Sequence, residues 1–288
     1  MSSHIRNMDI RALENLSDPC TLCPRNCRAH RKSGKLGRCD IGYDPVISQW
    51  GLHFGEEDCL VAGSGSGTVF FSGCNLLCIF CQNYTISHEH EGRPIAIDKL
   101  ASVFLDLEKQ GAANINLVTP THFSHAIAKA IDSARKSGLS LPIVYNCGGY
   151  EKVETLRALE GAIDIYMPDI KTLDEDFARK TMDAPDYPSV VKAAIREMHR
   201  QVGDLKITEG RAVKGLLVRH LVMPGQTEDS KHCLDFLHEL SSNTAVNVMS
   251  QYHPMYQAYT CPEISRRPAD EEIIAVKEYA ETLPLRLL

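Results

Sequence analysis

Seven of the eleven cysteines in this 288-residue chain stand in two tight groups. Cys74, Cys78 and Cys81 are spaced C-x3-C-x2-C in the run Gly73-Cys74-Asn75-Leu76-Leu77-Cys78-Ile79-Phe80-Cys81. At this cysteine content, chance would produce that spacing in about 1–2% of such chains. Three thiolates on a short loop can hold three irons of a 4Fe–4S cluster and leave the fourth iron open to an exogenous ligand. A structural zinc site is normally closed by four protein ligands, so three cysteines plus an open position favour chemistry. The second group, Cys20, Cys23, Cys27 and Cys39, is spaced C-x2-C-x3-C-x11-C, with Pro24, Gly34 and Gly37 available for turns. Four thiolates on a compact loop suit a closed zinc site or a second, fully ligated Fe–S cluster, and residue type alone does not choose between them. Cys59, Cys147, Cys233 and Cys261 stand alone and read as small buried hydrophobes.

Elements that would position the triad follow from the pattern around it. Short, nearly continuous apolar runs at 68–72, 114–119, 142–146, 162–167, 216–223 and 245–251 have the character of strands covered on both faces. Amphipathic stretches at 97–110, 124–136, 151–159, 189–202, 228–240 and 271–282 alternate with them, several stopping at glycine. Strands alternating with helices predict an α/β fold with a parallel sheet, whose ligands sit at the C-terminal strand ends. The triad falls just beyond the first strand, at that end. Residues 1–65 differ from the rest, with the four-cysteine group, a basic stretch and little amphipathic periodicity. They are expected to form a Cys-rich metal-binding extension to a core domain over 66–288. The Gly/Ser run at 63–67 lacks the ending of a phosphate-binding loop and reads as a flexible entry to the first strand.

Composition narrows the function classes. Hydrophobic residues are 43% and charged residues 24% of the chain, as in globular domains, and the net charge of −6 offers no basic field for nucleic acid. No apolar run approaches membrane-spanning length, and Met1 to Arg11 lack the apolar core of a signal peptide. The expectation is a cytoplasmic protein, in whose reducing surroundings clustered cysteines are metal ligands or redox groups.

The triad resembles the signature of the radical S-adenosylmethionine (SAM) superfamily. From about residue 65 to 259 the order of motifs is similar to that of glycyl-radical-enzyme activases, the pyruvate formate-lyase activating enzyme family and its uncharacterised Fe–S relatives. The resemblance implies a partial (βα)6 TIM-like barrel, a 4Fe–4S cluster on Cys74, Cys78 and Cys81, and SAM on the open iron. Reduction of the sulfonium would release a 5′-deoxyadenosyl radical that abstracts a hydrogen atom. It places Phe80 near the adenine, and Asp169 and Lys171 of Asp-Ile-Tyr-Met-Pro-Asp-Ile-Lys (164–171) at the methionine part of SAM. Arg-His-Leu-Val-Met-Pro-Gly (219–225) matches the fifth-strand motif. Gln-Tyr-His-Pro (251–254) matches the sixth-strand end and brings His253 toward SAM. It also implies a glycyl radical enzyme as partner and a flavodoxin or ferredoxin as electron donor. Where the superfamily usually carries a Gly-Gly-Glu-Pro-like motif for the SAM amino group, this chain has Thr119-Pro120-Thr121-His122.

Two readings of other residues stay open. Asn146 ends the third strand before Cys147-Gly148-Gly149, where its amide suits the ribose or methionine and equally an ordinary turn. Among the histidines, His122 has a better case than His125 or His220, because it sits at a strand end. Three functions compete: a radical SAM activase, a radical SAM enzyme acting on a small metabolite or modified nucleotide, and a zinc-stabilised binding module.

Overall fold

The structure is a computed structural model describing residues 8–288; the first seven residues of the polar N-terminal stretch lie outside the described part. Its strands are β1 Val46–His53, β2 Ser66–Phe71, β3 Arg93–Pro94, β4 Ile115–Val118, β5 Ile143–Cys147, β6 Ile165–Pro168, β7 Lys206–Thr208, β8 Arg211–Leu221, β9 Ala245–Met249 and β10 Arg286–Leu287. They form one sheet in the order β10-β9-β8-β6-β5-β4-β2-β1-β3, with β7 paired to β8 beside this path. From β2 through β10 every neighbouring pair on the path is parallel; β1 joins β2 and β3 in antiparallel fashion. The path does not return on itself, so this is an open α/β sheet, a partial barrel. The six expected strands are β2, β4, β5, β6, β8 and β9.

Alternate residues of these strands feed two cores, which is why their apolar runs are nearly continuous. One face carries Leu117, Tyr145, Tyr166, Val218 and Val246, which pack with Leu100, Phe104, Ile127 and Ile131 of the covering helices. The other face carries Val144, Met167, Leu217 and Ala245, which pack with Cys59 and Leu60. Helix Ser124–Lys136 has the bounds its periodicity predicts, and Ile97–Lys109, Tyr187–Val202, Thr227–Leu240 and Asp270–Thr282 lie within two residues of theirs. No helix among the described residues is long and apolar enough to cross a membrane.

The first 65 residues are more regular than their periodicity suggests. Helix Ile10–Ser17 is capped by Asp9, whose carboxylate accepts from Ala12 N at 2.9 Å. Strand β1 escapes the sequence pattern because only Ile47 is fully buried and Trp50 is half exposed. Leu13, Leu22 and Ile47 belong to the same core as the sheet's outer face. The 63–67 run is not simply a flexible entry, since Ser66 and Gly67 already pair within β2. A Cβ on Gly67 would stand 2.7 Å from Asn114 O and 2.9 Å from Ala112 Cβ, so glycine is required by close approach.

Candidate active site

The sheet's inner face changes character along its strands. Val144, Met167, Leu217 and Ala245 are core; one pleat further on, Asn146, Asp169, Arg219 and Asn247 line a cavity of about 640 Å³. That cavity opens at the C-terminal strand ends, where helix-covered parallel sheets bind ligands.

The cysteine loop forms one wall. After β2 the chain turns at Gly73 with φ of +82°, where a Cβ would meet Cys39 O at 3.1 Å and His122 Nε2 at 3.3 Å. Cys74, Cys78 and Cys81 then all face the cavity, beside Phe71, Leu76 and Phe80. Arg25 clamps the loop from outside, donating from Nε to Asn75 O at 2.9 Å and from Nη2 to Leu76 O at 3.3 Å. Asn75 donates to Tyr150 O at 2.7 Å, and Ile79 N to Thr181 O at 2.9 Å. The Leu76 N–H points at Cys74 Sγ, 3.4 Å away, and Cys81 Sγ lies 3.2 Å from Ser87 Oγ. Burial pushes the Cys74 and Cys78 thiols up from the ordinary value, and the Lys171 charge opposes this.

Beside this wall, beyond β6, stand Asp169 and Lys171, with Leu76 Cδ1 and Lys171 Cε both close to Gly148. Lys171 Nζ donates to Asp169 Oδ2 at 2.6 Å, and Lys171 N donates to Tyr187 OH at 3.0 Å. Burial opposes the Lys171 charge, but the Asp169 carboxylate overcomes it and holds the amine above its ordinary pKa. An ammonium thus stays available for a carboxylate ligand. Asn146, Cys147 and Gly148 complete this side.

The segment Thr119-Pro120-Thr121-His122 forms the edge between. Thr119 lines the cavity with φ of +58°, a costly conformation for a β-branched residue. Glu151 braces it, accepting from Thr121 Oγ1 at 2.6 Å and from Tyr145 OH at 3.1 Å. Burial raises the Glu151 carboxyl to about 7 despite these donors. His122 turns away from the active-site cavity. Burial lowers its pKa to about 3, and the neutral ring donates from Nε2 to Ser72 O at 2.8 Å.

Several residues of this wall are not among the expected site residues. Arg219 reaches across the inner face to the segment between β1 and β2, donating to Glu57 at 2.9 and 2.6 Å and also to Glu56. Asn247 adds a bond to Glu57 at 2.7 Å. Burial raises the Glu57 carboxyl, and the Arg219 guanidinium more than reverses this, leaving it below the ordinary value. Inward alternation of Leu217, Arg219 and Leu221 could have exposed Arg219; nothing local points to Glu56 and Glu57.

The structure brings Cys74, Cys78, Cys81, Phe80, Asn146, Asp169 and Lys171 to one cavity. His253 sits half-buried at the rim, its Nδ1 3.4 Å from Gln82 Nε2, and is not part of the wall. His125 packs on the Tyr43 ring, and His220 Nδ1 lies 2.8 Å from Ile170 O, both outside the cavity. Cys20, Cys23, Cys27 and Cys39 line a second, smaller cavity behind the triad loop.

The family model described as Radical SAM superfamily matches residues 68–237, more than half of the chain. The chain belongs to the radical SAM superfamily. The match begins within β2, contains the triad, the Asp169–Lys171 pair and Arg219, and ends in helix Thr227–Leu240. Over 294 residues the chain is 29% identical to Uncharacterized protein MJ0674 of Methanocaldococcus jannaschii, covering 99% of this chain and 81% of that one. It is 25% identical to Uncharacterized protein MJ0808 of the same organism, covering 88% and 78%. Among solved structures it is similar to methylornithine synthase (PylB), with a TM-score of 0.47 and 16% identity over 72% of this chain. It is also similar to the cobalamin-dependent S-adenosylmethionine radical enzyme OxsB, with a TM-score of 0.44 and 14% identity over 76% of this chain. The chain spans 59% of the length of PylB and 31% of that of OxsB.

Membership makes this radical SAM protein an enzyme rather than a binding module, and implies a 4Fe–4S cluster and SAM. Its residues fit both groups: three thiols share one wall, and a charged ammonium stands beside them.

Proposed function

We propose that this chain cleaves SAM reductively and abstracts a hydrogen atom from a glycine of a partner glycyl radical enzyme. The observation that carries the reading is the single cavity onto which Cys74, Cys78, Cys81, Asn146, Asp169 and Lys171 all open. The three thiolates would hold the cluster. Bound there, cluster and SAM supply one-electron chemistry able to remove a hydrogen atom from carbon. The protein's own part is placement. Lys171, already oriented by Asp169, offers its ammonium to the SAM carboxylate, and the Asn146 amide serves the ribose or methionine. Phe80 and Leu76 keep the neighbourhood of the cluster apolar and exclude water. Thr119, held left-handed, presents a hydroxyl and a backbone carbonyl where a SAM amino group needs acceptors.

The choice of a glycyl radical enzyme rests on the motif order from 65 to 259, and a flavodoxin- or ferredoxin-type carrier is the matching electron donor. In the same reading Cys20, Cys23, Cys27 and Cys39 hold a metal of their own. A second reading, a small polar metabolite or modified nucleotide as substrate, draws on the inner wall. Arg219, Glu56, Glu57 and Asn247 extend the cavity with hydrogen-bonding groups that a peptide glycine does not need.

Anaerobic protein given SAM and reductant should yield 5′-deoxyadenosine and methionine, and Cys78→Ala should abolish this. A mutant that still turns over would sink the assignment of the triad. With a glycyl radical enzyme deuterated at glycine Cα, the label should appear in 5′-deoxyadenosine. Deuterium transfer from a small molecule instead would establish the second reading.

A further inference from the structure

We infer that Cys20, Cys23, Cys27 and Cys39 hold a second iron–sulfur cluster, fully ligated by protein and seated back to back with the triad. The inference takes only the triad cluster from the functional reading above; the N-terminal cradle stands on its own residues.

All four cysteines line one small, largely enclosed cavity, although Cys39 lies twelve residues beyond Cys27. The backbone is folded to achieve this. Cys20 N donates to Ala29 O at 2.9 Å and Arg28 N to Cys20 O at 2.8 Å, closing the loop 20–29. Gly37 then passes so close that a Cβ would stand 3.1 Å from Cys27 Cβ and 3.2 Å from Cys27 Sγ. The N–H of Arg38 points at Cys27 Sγ, 3.2 Å away, a contact that supports a metal-bound thiolate.

Charge points to an anionic occupant. Arg31 is 2% exposed, and its guanidinium donates to Ile41 O, Gly42 O and, at 2.6 Å, His122 O. Its Nη1 also lies 3.9 Å from Cys20 Sγ, and among the described residues it has no carboxylate partner. A buried cation without an anion is costly, and a thiolate-ligated metal centre supplies the missing charge. The triad, whose family ligand is a cluster, lies against this cavity through Asn75, and four thiols on one cavity suit a fully ligated cluster of the same kind.

The two centres share a wall. Cys74 and Leu76 face the active-site cavity, and Asn75 between them faces the N-terminal one. Cys39 O lies 3.1 Å from where a Gly73 Cβ would be, one residue before Cys74. Two paramagnetic clusters so placed should interact magnetically.

The test uses the full chain reconstituted anaerobically with iron and sulfide, then analysed for iron, sulfide and zinc. The variant Cys74→Ala/Cys78→Ala/Cys81→Ala should retain about four irons, and the wild type about eight. A triad variant that keeps one zinc and no iron, or no metal at all, overturns the proposal. Cys27→Ser in the same background, at the exposed ligand, should strip or visibly alter the remaining cluster; an unchanged spectrum would also overturn the ligand set. The paramagnetic resonance spectrum of reduced wild type should differ from the sum of the triad variant and Cys20→Ala/Cys23→Ala. If the wild-type spectrum equals that sum, the back-to-back placement is wrong. If the second variant does not fold, power saturation of the wild type against the triad variant reads the same interaction, and identical saturation refutes it. Failure of the active-site reading would show separately, as iron retained by the triad variant but no SAM-dependent change in the wild type.

Discussion

Lys171 keeps its charge in a wall where burial opposes it because Asp169 stands 2.6 Å away. That pair makes the ammonium a ready contact for a carboxylate. Losing one charge-assisted contact costs about 1.5–3 kcal/mol, a ten- to hundredfold loss of affinity. Lys171→Ala should therefore weaken SAM binding by that factor, with iron content and cluster absorbance unchanged, as titration calorimetry on reconstituted protein can measure. Equal affinities would remove Lys171 from the SAM site. Glu151 makes a different prediction. Its carboxyl, raised by burial to about 7, keeps a proton that the unfolded chain has already released above about 4.5. The folded state thus binds more protons across this window, and stability falls as pH rises from about 4.5 to 7, by on the order of 3 kcal/mol. Glu151→Gln should flatten the melting temperature over that range relative to wild type. Parallel curves for the two proteins would show that Glu151 titrates normally.

At the scale of elements, β2 is the strand that must be placed correctly, because it delivers the cysteine loop. Gly67 lets it lie against β4. Gly67→Ala should force the two apart at a cost of about 1–3 kcal/mol, seen as a melting temperature several degrees lower. Gly51→Ala in β1, where a Cβ meets nothing within 4 Å, is the control and should change little. Helix Glu175–Met182 shows how an element escapes a periodicity search. It is short and largely charged, and depends on Asp174, whose carboxylate accepts from Asp176 N at 2.8 Å and Phe177 N at 3.0 Å. Helix Val153–Ala158 starts two residues later than its amphipathic pattern predicts, because Glu151 is turned into the core to brace Thr121.

At the scale of the whole molecule, the Arg219 clamp joins β8 to a segment 162 residues away in sequence. Glu56 and Glu57 are nearly inaccessible, with side chains 6% and 4% exposed. Removing the guanidinium would leave Glu57 only Asn247 and Glu56 only His53 as side-chain partners, and take away the cation buried between them. Arg219→Met should cost about 3–5 kcal/mol, the penalty of breaking a buried pair from one side. Adding Glu57→Gln to that variant should recover part of the loss in denaturant midpoint; no recovery would mean that the clamp is not what stabilises this closure.

How much was legible beforehand follows from how local each signal is. The triad, the six parallel strands and the main helices were readable because each is written in a few adjacent residues or in one local pattern, whereas the Asp169–Lys171 pair came from the resemblance of residues 164–171 to a family segment. Placement was not. Asn146, Asp169 and Arg219 reach one cavity because parallel strands carry the same inward parity to the same end, which is a property of the sheet. Glu56 and Glu57 belong to the wall only because β1 folds back antiparallel onto β2. Cys39 meets Gly73, and Asn75 faces the N-terminal cysteines, only where two loops distant in sequence are pressed together. The residue types determined which chemistry this chain could hold; the packing of the sheet and its loops decided which residues share a cavity, because contacts between distant segments follow from burial of the whole chain and from no single stretch of it.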